Sequence, residues 1–145
     1  MGRILPDTGC RLSVAGHSWH RSVQEHYAAL GLEVSFNPCR EQFRFGDGGR
    51  ARSTRAVLYP VCFDGRVWHI LWVAEVSQPC PGLLSAKAMA QTNCEIHFSR
   101  AEIEIVCNGT ALPLFEETGH PDLALVRNSA DLSQAPVFQL GRSFI

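Results

Sequence analysis

Short extended apolar runs separated by turn-forming residues constrain the fold of this chain more than any other feature of its sequence. Residues 57–63 and 67–76 are two such runs, and the dipeptide Asp64-Gly65 between them is typical of a hairpin turn. A second dipeptide of this kind, Asn108-Gly109, follows later in the chain. These hairpins predict a mainly β domain.

The chain is long and apolar enough for one domain with a hydrophobic core, because 46% of its 145 residues are hydrophobic. Further strands are predicted over residues 32–36, 43–45, 94–98, 102–106 and 112–115. The alternating pattern weakens from Glu116, and the residues after it, with scattered proline and serine, are predicted to be irregular. We therefore expect a domain over residues 1–115 and a peripheral C-terminal extension over residues 116–145.

Two stretches have the composition and spacing of helices. The first covers residues 18–30, with Ser18 as the predicted cap and Gly31 as the stop signal. Its apolar face is predicted to carry Trp19, Val23, Tyr27 and Leu30. The same spacing places His20 on the polar face. The second helix is shorter and covers residues 85–90.

The balance of charge argues against a nucleic-acid-binding protein. Lys and Arg number 13 and Asp and Glu 14, whereas nucleic-acid-binding proteins usually carry a basic surplus. The arginines of residues 40–55 form a local cluster, which alternation along a hairpin is expected to place on one solvated face. We find no apolar run long enough to span a membrane and no signal peptide, so we expect a cytoplasmic protein without membrane contact.

The cysteines and histidines do not have the spacing of a metal site. Six cysteines stand far apart without a CxxC pair, which favours free thiols in a reducing compartment. Zinc accepts Cys10 with His17, His20 or His26, but no pair has the spacing that sets two ligands on one face. No histidine is identified that would orient a Cys10 nucleophile. We therefore expect no metal and no cofactor, and a Cys10 side chain packed as a small apolar group.

A carboxylate, a hydroxyl and a glycine stand side by side near the start of the chain, in the stretch LPDTGC. Proline, aspartate and glycine favour a tight turn, which is one interpretation. The other interpretation is an active-site loop in which Asp7 is the working group and Thr8 and Gly9 hold it in place. The tripeptide alone does not separate the two, because it also arises by chance.

Two further motifs follow this tripeptide and favour the active-site interpretation. A predicted hairpin with a glycine-rich tip, FRFGDGGRARS, begins at Phe43, and an apolar pair within PGLLSAKAM enters the short helix. In this order, over about residues 4–100, the motifs resemble the retropepsin-like aspartic proteases of retroviruses and retrotransposons. The resemblance implies a retropepsin-like (acid protease) closed β-barrel half with a flap hairpin, one inserted helix over residues 18–30 and one short C-terminal helix.

The resemblance also implies an aspartic endopeptidase that cleaves a polypeptide, such as a retrotransposon polyprotein. The chain holds one such tripeptide, so the enzyme is expected to be a homodimer in which each subunit contributes Asp7. Thr8 is expected to lock the two loops together, and Gly9 to leave room for close approach of backbone. The expected substrate-binding residues are Phe45, Gly46, Asp47, Gly48, Gly49, Leu83 and Leu84. The alternative is a module of the same fold that dimerises or binds peptides without catalysis.

Three features depart from the family pattern. Pro6 stands where an apolar strand residue is usual, and because it has no N–H it is expected at an edge or in a weakened strand. Ser85 stands where the family usually has glycine, so its Cβ is expected to crowd the loop. The chain also begins close to Asp7. Together the three features suggest a fragment, a degenerate copy of such an element, or a domain excised from a larger polyprotein.

Overall fold

The protein is mainly β with two α-helices over the residues that the computed structural model describes, which are 2–45, 47–98, 103–115 and 122–138. Its strands are β1 (Arg3–Asp7), β2 (Val14–Gly16), β3 (Ser35–Pro38), β4 (Gln42–Arg44), β5 (Arg50–Arg52), β6 (Arg55–Val61), β7 (His69–Val76), β8 (Leu83–Ser85), β9 (Cys94–Phe98), β10 (Ile103–Cys107), β11 (Thr110–Ala111) and β12 (Leu123–Ala124). The helices are α1 (His17–Ala29) and α2 (Ala86–Gln91), with a short 3₁₀ helix at Leu132–Gln134. The predicted mainly β class is confirmed.

Seven of the strands form one sheet in the order β12-β1-β8-β2-β7-β6-β3. The pairs β1–β8 and β2–β7 are parallel, and the other pairs are antiparallel. An isolated bridge between Cys62 and Val126 joins the two sides of the sheet at one point, but β3 and β12 remain its edges. No continuous hydrogen-bonded ladder joins the two sides of the sheet. The described residues therefore form no closed barrel, in contrast to the expected closed half-barrel.

The remaining strands form two smaller sheets whose turns follow the sequence signals. β4 and β5 pair as a hairpin, and β9, β10 and β11 form an antiparallel sheet. Asp64-Gly65 joins β6 to β7 and Asn108-Gly109 joins β10 to β11, as predicted. The strand after the second turn is Thr110–Ala111, so the expected strand over 112–115 is wrong. Glu102, the expected first residue of the preceding strand, lies outside the described residues.

Helix α1 packs one face onto the main sheet, and its buried residues include Val23 and Tyr27, as predicted. The rings of Tyr27 and Tyr59 have centroids 5.2 Å apart, and the Tyr27 hydroxyl donates to the Pro60 carbonyl oxygen at 2.6 Å. A buried hydroxyl with a partner avoids the cost of an unsatisfied polar group. The aromatic pair therefore joins α1 to β6 without leaving polar atoms unpaired.

His20 is buried in the core, so its predicted position on the polar face of the helix is wrong. Its Nδ1 lies 2.6 Å from the Tyr59 hydroxyl and its Nε2 lies 3.0 Å from the Ala74 carbonyl oxygen. Because a carbonyl only accepts, Nε2 carries the hydrogen and Nδ1 of the neutral ring accepts from the hydroxyl. Burial lowers the pKa of His20, which keeps the ring neutral.

Helix α1 begins at His17 rather than at the predicted cap Ser18, and its N-cap residue is Gly16, which makes no side-chain cap. The His17 Nδ1 atom bonds one carboxylate oxygen of Glu75 on β7, and Arg55 Nε donates to the other at 2.7 Å. Burial alone would raise the pKa of Glu75, but the hydrogen bonds from Arg55 and His17 hold it below its usual value. The ionised carboxylate thus fixes the first residue of α1 to the sheet.

Part of the C-terminal extension belongs to the core. Strand β12 pairs with β1, and Leu123 and Leu125 are fully buried. The expected peripheral position therefore does not hold for residues 122–126. Residues 116–121 and 139–145 of the same segment lie outside the described residues.

Asp64 links the β6–β7 hairpin to the turn between β10 and β11. Its Oδ1 accepts from the N–H groups of Arg66 and Val67, both at 2.8 Å, and its Oδ2 accepts from Asn108 Nδ2 at 3.1 Å. Burial alone would raise the pKa of Asp64, but the backbone hydrogen bonds from Val67 and Arg66 hold it below its usual value. One ionised carboxylate therefore holds two turns that are distant in sequence.

We expect Asp64→Asn to lower the free energy of unfolding by about 1–3 kcal/mol at neutral pH, because hydrogen bonds to a buried carboxylate are weakened or lost. Since the folded-state pKa is lowered, this stabilisation is full above the unfolded-state pKa of about 4 and is lost as the pH falls through the folded-state pKa. Urea denaturation at pH 7 and pH 3 measures the change, with the exposed Glu33→Gln as a matched control. An equal cost at both pH values would contradict the role of the ionised form.

Candidate functional site

The Asp7 carboxylate lies at the end of β1 and is held by the loop that follows it. The Gly9 N–H donates to Asp7 Oδ1 at 3.0 Å, and the Cys10 N–H donates to the Asp7 carbonyl oxygen at 3.1 Å. Asp7 is half-buried, whereas Thr8 and Gly9 are exposed. Asp7 Oδ2 accepts no hydrogen bond within the described ranges. The loop therefore fixes one carboxylate oxygen and leaves the other available, a geometry that a simple Asx turn shares.

Pro6 fits into β1 because its missing N–H is on the side away from β8. The Leu5 N–H donates to the Gly82 carbonyl oxygen at 2.8 Å, and successive amides of a strand point to opposite sides. On that opposite side, β12 pairs with β1 only at Arg3 and Ile4. Pro6 thus occupies a local edge, where no donor is needed, as its chemistry predicts.

Strand β8 lies parallel to β1 in a register that sets Ser85 opposite Asp7 and Leu84 opposite Pro6. Leu84 is fully buried in the core, whereas Leu83 is half-buried and packs against a smaller apolar cluster on the sheet. The expected substrate contact by Leu84 is therefore wrong, because its side chain does not reach the surface. Leu84 supports the strand beside the Asp7 loop instead.

The Ser85 side chain, which is expected to crowd the Asp7 loop, makes its hydrogen bonds to helix α2 and to Ser13. Its Oγ accepts from the Ala88 N–H at 3.1 Å and so caps helix α2. The Ser85 N–H donates to Ser13 Oγ at 3.1 Å, and the two hydroxyls lie 3.3 Å apart. Ser13 was not among the predicted site residues, and nothing in its local sequence marks it.

Trp19 extends from α1 and contacts both β1 and the residue that precedes β8. Its Nε1 donates to the Arg3 carbonyl oxygen at 2.9 Å, and its indole covers Gly82. A Cβ atom at Gly82 would lie 2.3 Å from the nearest indole carbon, so only glycine fits this approach without displacement. The sequence predicts Trp19 as a core residue but not as a support of the candidate site.

The β4–β5 hairpin has the predicted glycine-rich tip. Phe45 N–H donates to the Gly49 carbonyl oxygen at 2.8 Å, and Gly48 N–H donates to the Phe45 carbonyl oxygen at 2.9 Å. Asp47 Oδ1 accepts from the Gly49 N–H at 2.8 Å, so this carboxylate serves the turn. Gly48 has a φ of +87°, which favours glycine. Gly46, also predicted to bind substrate, lies outside the described residues.

The inner face of this hairpin packs on the same apolar cluster as the residues beside Asp7. Phe43 and Phe45 contact this cluster, as do Cys10 and Leu83. Gln78 Nε2, in the loop before β8, donates to a carbonyl oxygen of β5 at 3.4 Å. The outer face carries the exposed side chains of Gln42, Arg44, Arg50 and Arg52. The hairpin is therefore apolar toward the sheet and basic toward solvent, as alternation predicts.

The two thiols beside the Asp7 loop remain protonated at neutral pH. Burial, followed by the negative charge of Asp7, raises the pKa of Cys10. Burial raises the pKa of Cys80 to about 11, with smaller electrostatic contributions from Cys10 and Asp7. Because the thiolate is the nucleophilic form, these raised values disfavour a cysteine nucleophile here.

A cavity of about 620 Å³ lies between β7, α2 and residues 37–41, and its lining includes Leu12, Ser13 and Ser85. Its floor includes Leu58, Ile70 and Trp72, while Asp7 and the hairpin tip do not line it. The cavity therefore adjoins the Ser13–Ser85 contact beside the Asp7 loop, although Asp7 itself does not line it.

The described ranges contain no cluster of three or more His, Cys, Asp or Glu residues arranged to hold a metal ion. All six cysteines are present as thiols. Within the same ranges, no helix combines the length and the apolar character that crossing a membrane requires.

Comparisons with known proteins leave the function to be argued from the site. The sequence matches no protein-family model and no curated protein.

We expect Ser85→Ala to lower the free energy of unfolding by about 1–2 kcal/mol, because α2 loses its cap and Ser13 loses a buried partner. Urea denaturation measures the change, and the exposed Ser77→Ala is the matched control, with an expected change below about 0.5 kcal/mol. Equal changes in the two variants would show that the Ser13–Ser85 contact does not stabilise the loop.

Proposed function

We propose that this protein is an aspartic endopeptidase with a retropepsin-like fold, which hydrolyses peptide bonds as a homodimer. The observation that carries the proposal is the Asp7 carboxylate, in which Gly9 N–H fixes one oxygen and the other has no partner in the described part of the chain. The parallel support by β8 and the glycine-tipped hairpin on the same apolar cluster add to it. Polyprotein segments in an extended conformation are the proposed substrates.

The chemistry follows from what a pair of carboxyls does to water. Water is a weak nucleophile at mildly acid pH and needs a base to remove its proton. Two carboxyls at hydrogen-bonding distance do not both ionise, so the pair shares one proton and titrates as a unit. The ionised member takes the proton of water, and the protonated member donates to the peptide carbonyl. The rate then falls at low pH, where both are protonated, and at high pH, where both are ionised.

A second subunit supplies the second carboxyl in this proposal. Only one Asp-Thr-Gly tripeptide occurs in the chain, so a two-fold axis near Asp7 would bring two copies together. The Thr8 side chain is exposed and makes no hydrogen bond within the described ranges, as suits a residue that contacts a partner loop. The carboxyl of Asp7 is likewise already held on one side by its own loop.

The β4–β5 hairpin is the proposed cover for the bound peptide. Its tip offers glycine backbone, which can approach an extended substrate closely and form main-chain hydrogen bonds. Phe45, at the base of the tip, adds an apolar side chain on the inner face. Closure over the peptide would exclude bulk water from the carboxyl pair.

Asp7→Asn is expected to lower peptide hydrolysis by about 100-fold or more, because the amide cannot act as the base. The assay follows cleavage of an unfolded protein substrate between pH 4 and 7, and the exposed Glu33→Gln is the control that keeps activity. A folded, dimeric wild-type protein that cleaves nothing in this range would favour the non-catalytic dimerisation or peptide-binding module.

Mixing wild-type and Asp7→Asn subunits tests whether two subunits share one active site. Equal amounts of wild type and Asp7→Asn, allowed to exchange subunits, should have about half the activity of the same amount of wild type alone, because random pairing leaves half of the wild-type subunits in inactive mixed dimers. Glu33→Gln added in the same way should not reduce the activity. An activity unchanged by Asp7→Asn, after subunit exchange is verified, would mean that each chain acts alone.

A further inference from the structure

Cys94 and Cys107 stand directly opposite each other on the antiparallel strands β9 and β10. The Asn108 N–H donates to the Asn93 carbonyl oxygen at 3.2 Å, which makes Asn93 and Asn108 a hydrogen-bonded pair. Cys94 and Cys107 are then the adjacent non-hydrogen-bonded pair, whose Cα atoms are about 4.5 Å apart with side chains on one face. That distance lies within the range that a disulfide spans.

The two thiols share a buried polar partner. Cys107 Sγ donates to the Thr92 carbonyl oxygen at 3.1 Å, and Thr92 Oγ1 donates to Cys94 Sγ at 3.4 Å. Cys94 is 8% exposed and Cys107 is 1% exposed, so access is left only to a small molecule. The interaction between the two sulfur atoms lowers the pKa of Cys94 and, together with burial, raises that of Cys107. Cys94 is therefore the thiolate-forming member of the pair.

We propose that Cys94 and Cys107 are a redox modification site, which forms a reversible disulfide on reaction with a small peroxide. The Cys94 thiolate attacks one oxygen of hydrogen peroxide, the O–O bond breaks, and hydroxide leaves and is protonated to water. The Cys107 sulfur then attacks the resulting Cys94 sulfenic acid, and its proton leaves with the sulfenic hydroxyl as water. Two thiols lose two electrons in total, and one peroxide becomes two waters.

The disulfide would close the β9–β10 hairpin covalently and restrict the unfolded chain between residues 94 and 107. Cys107 also precedes Asn108, whose side chain bonds Asp64, so the cross-link lies next to the contact between two turns. Oxidation is therefore expected to stabilise this end of the molecule. The proposal does not depend on the proposed peptidase activity.

Mass spectrometry tests the pairing on the full chain. The protein is treated with hydrogen peroxide, its remaining thiols are alkylated, and it is digested with trypsin without reductant. Cleavage after Lys87, Arg100 and Arg127 places the two cysteines in peptides 88–100 and 101–127. We expect these peptides joined, lighter than their sum by two hydrogen atoms, and separated again by dithiothreitol. Alkylation of both cysteines while other thiols are oxidised would overturn the proposal.

Thermal unfolding gives a second readout. Peroxide treatment should raise the melting temperature of the wild type by roughly 5–10 °C, reversibly with dithiothreitol. Cys94→Ser, or Cys94→Ala if the first variant does not fold, should lose both this rise and the joined peptide. Cys80→Ser is the matched control and should retain both. A rise that persists without Cys94 would assign the effect to other cysteines and overturn the proposal.

Discussion

The parallel pairing of β1 with β8 is the constraint on which the candidate site depends. It sets Asp7 opposite Ser85 and therefore fixes where the strand ends and the loop begins. Parallel strands need a long connection, and here residues between β1 and β8 supply most of the main sheet and helix α1. The site is thus formed only when segments nearly eighty positions apart have paired, which ties its geometry to the integrity of the whole sheet.

Apolar burial and hydroxyl hydrogen bonds make different contributions to this pairing. Complete burial of a leucine such as Leu84 stabilises the fold by about 1.5–3 kcal/mol, whereas a serine cap such as Ser85 contributes typically about 1 kcal/mol. Burial therefore supplies the larger share of the free energy. The hydroxyls of Ser13 and Ser85 help to fix the register of the strands, because their hydrogen bonds form in one register and a shift by one residue would break them.

Residue types predicted the turns and strands that depend on a few neighbouring residues. They did not predict the features that depend on contacts between segments distant in sequence. The turns at Asp64-Gly65 and Asn108-Gly109 and the bounds of β9 follow from residue type alone. The start of α1 does not, because its anchor Glu75 is 58 positions away from His17. The single bridge between Cys62 and Val126 was missed for the same reason, since it joins distant segments for which the sequence has no pairing signal.

The candidate site likewise contains some features that the local sequence predicts and others that it does not. The Asp7 loop and the glycine-tipped hairpin are local motifs and were predicted in position, although their proposed activity remains a prediction. Trp19 and Gln78, which support these motifs, come from other parts of the chain, and nothing in the local sequence marks Ser13, which contacts Ser85. The sequence analysis assigned Leu83 and Leu84 the same role, but two adjacent strand residues point to opposite faces and only Leu83 faces the smaller cluster.

The position of Trp19 has an optical consequence. Its indole lies against Gly82 and donates to the Arg3 carbonyl oxygen, so the ring spans the two strands that frame the Asp7 loop. With Trp68 and Trp72 replaced by phenylalanine, the fluorescence of this chain would come from the single indole at that junction. Separation of β1 from β8 would expose the ring to water and shift its emission to longer wavelength. The emission maximum of Trp19 would therefore report whether the two strands are paired.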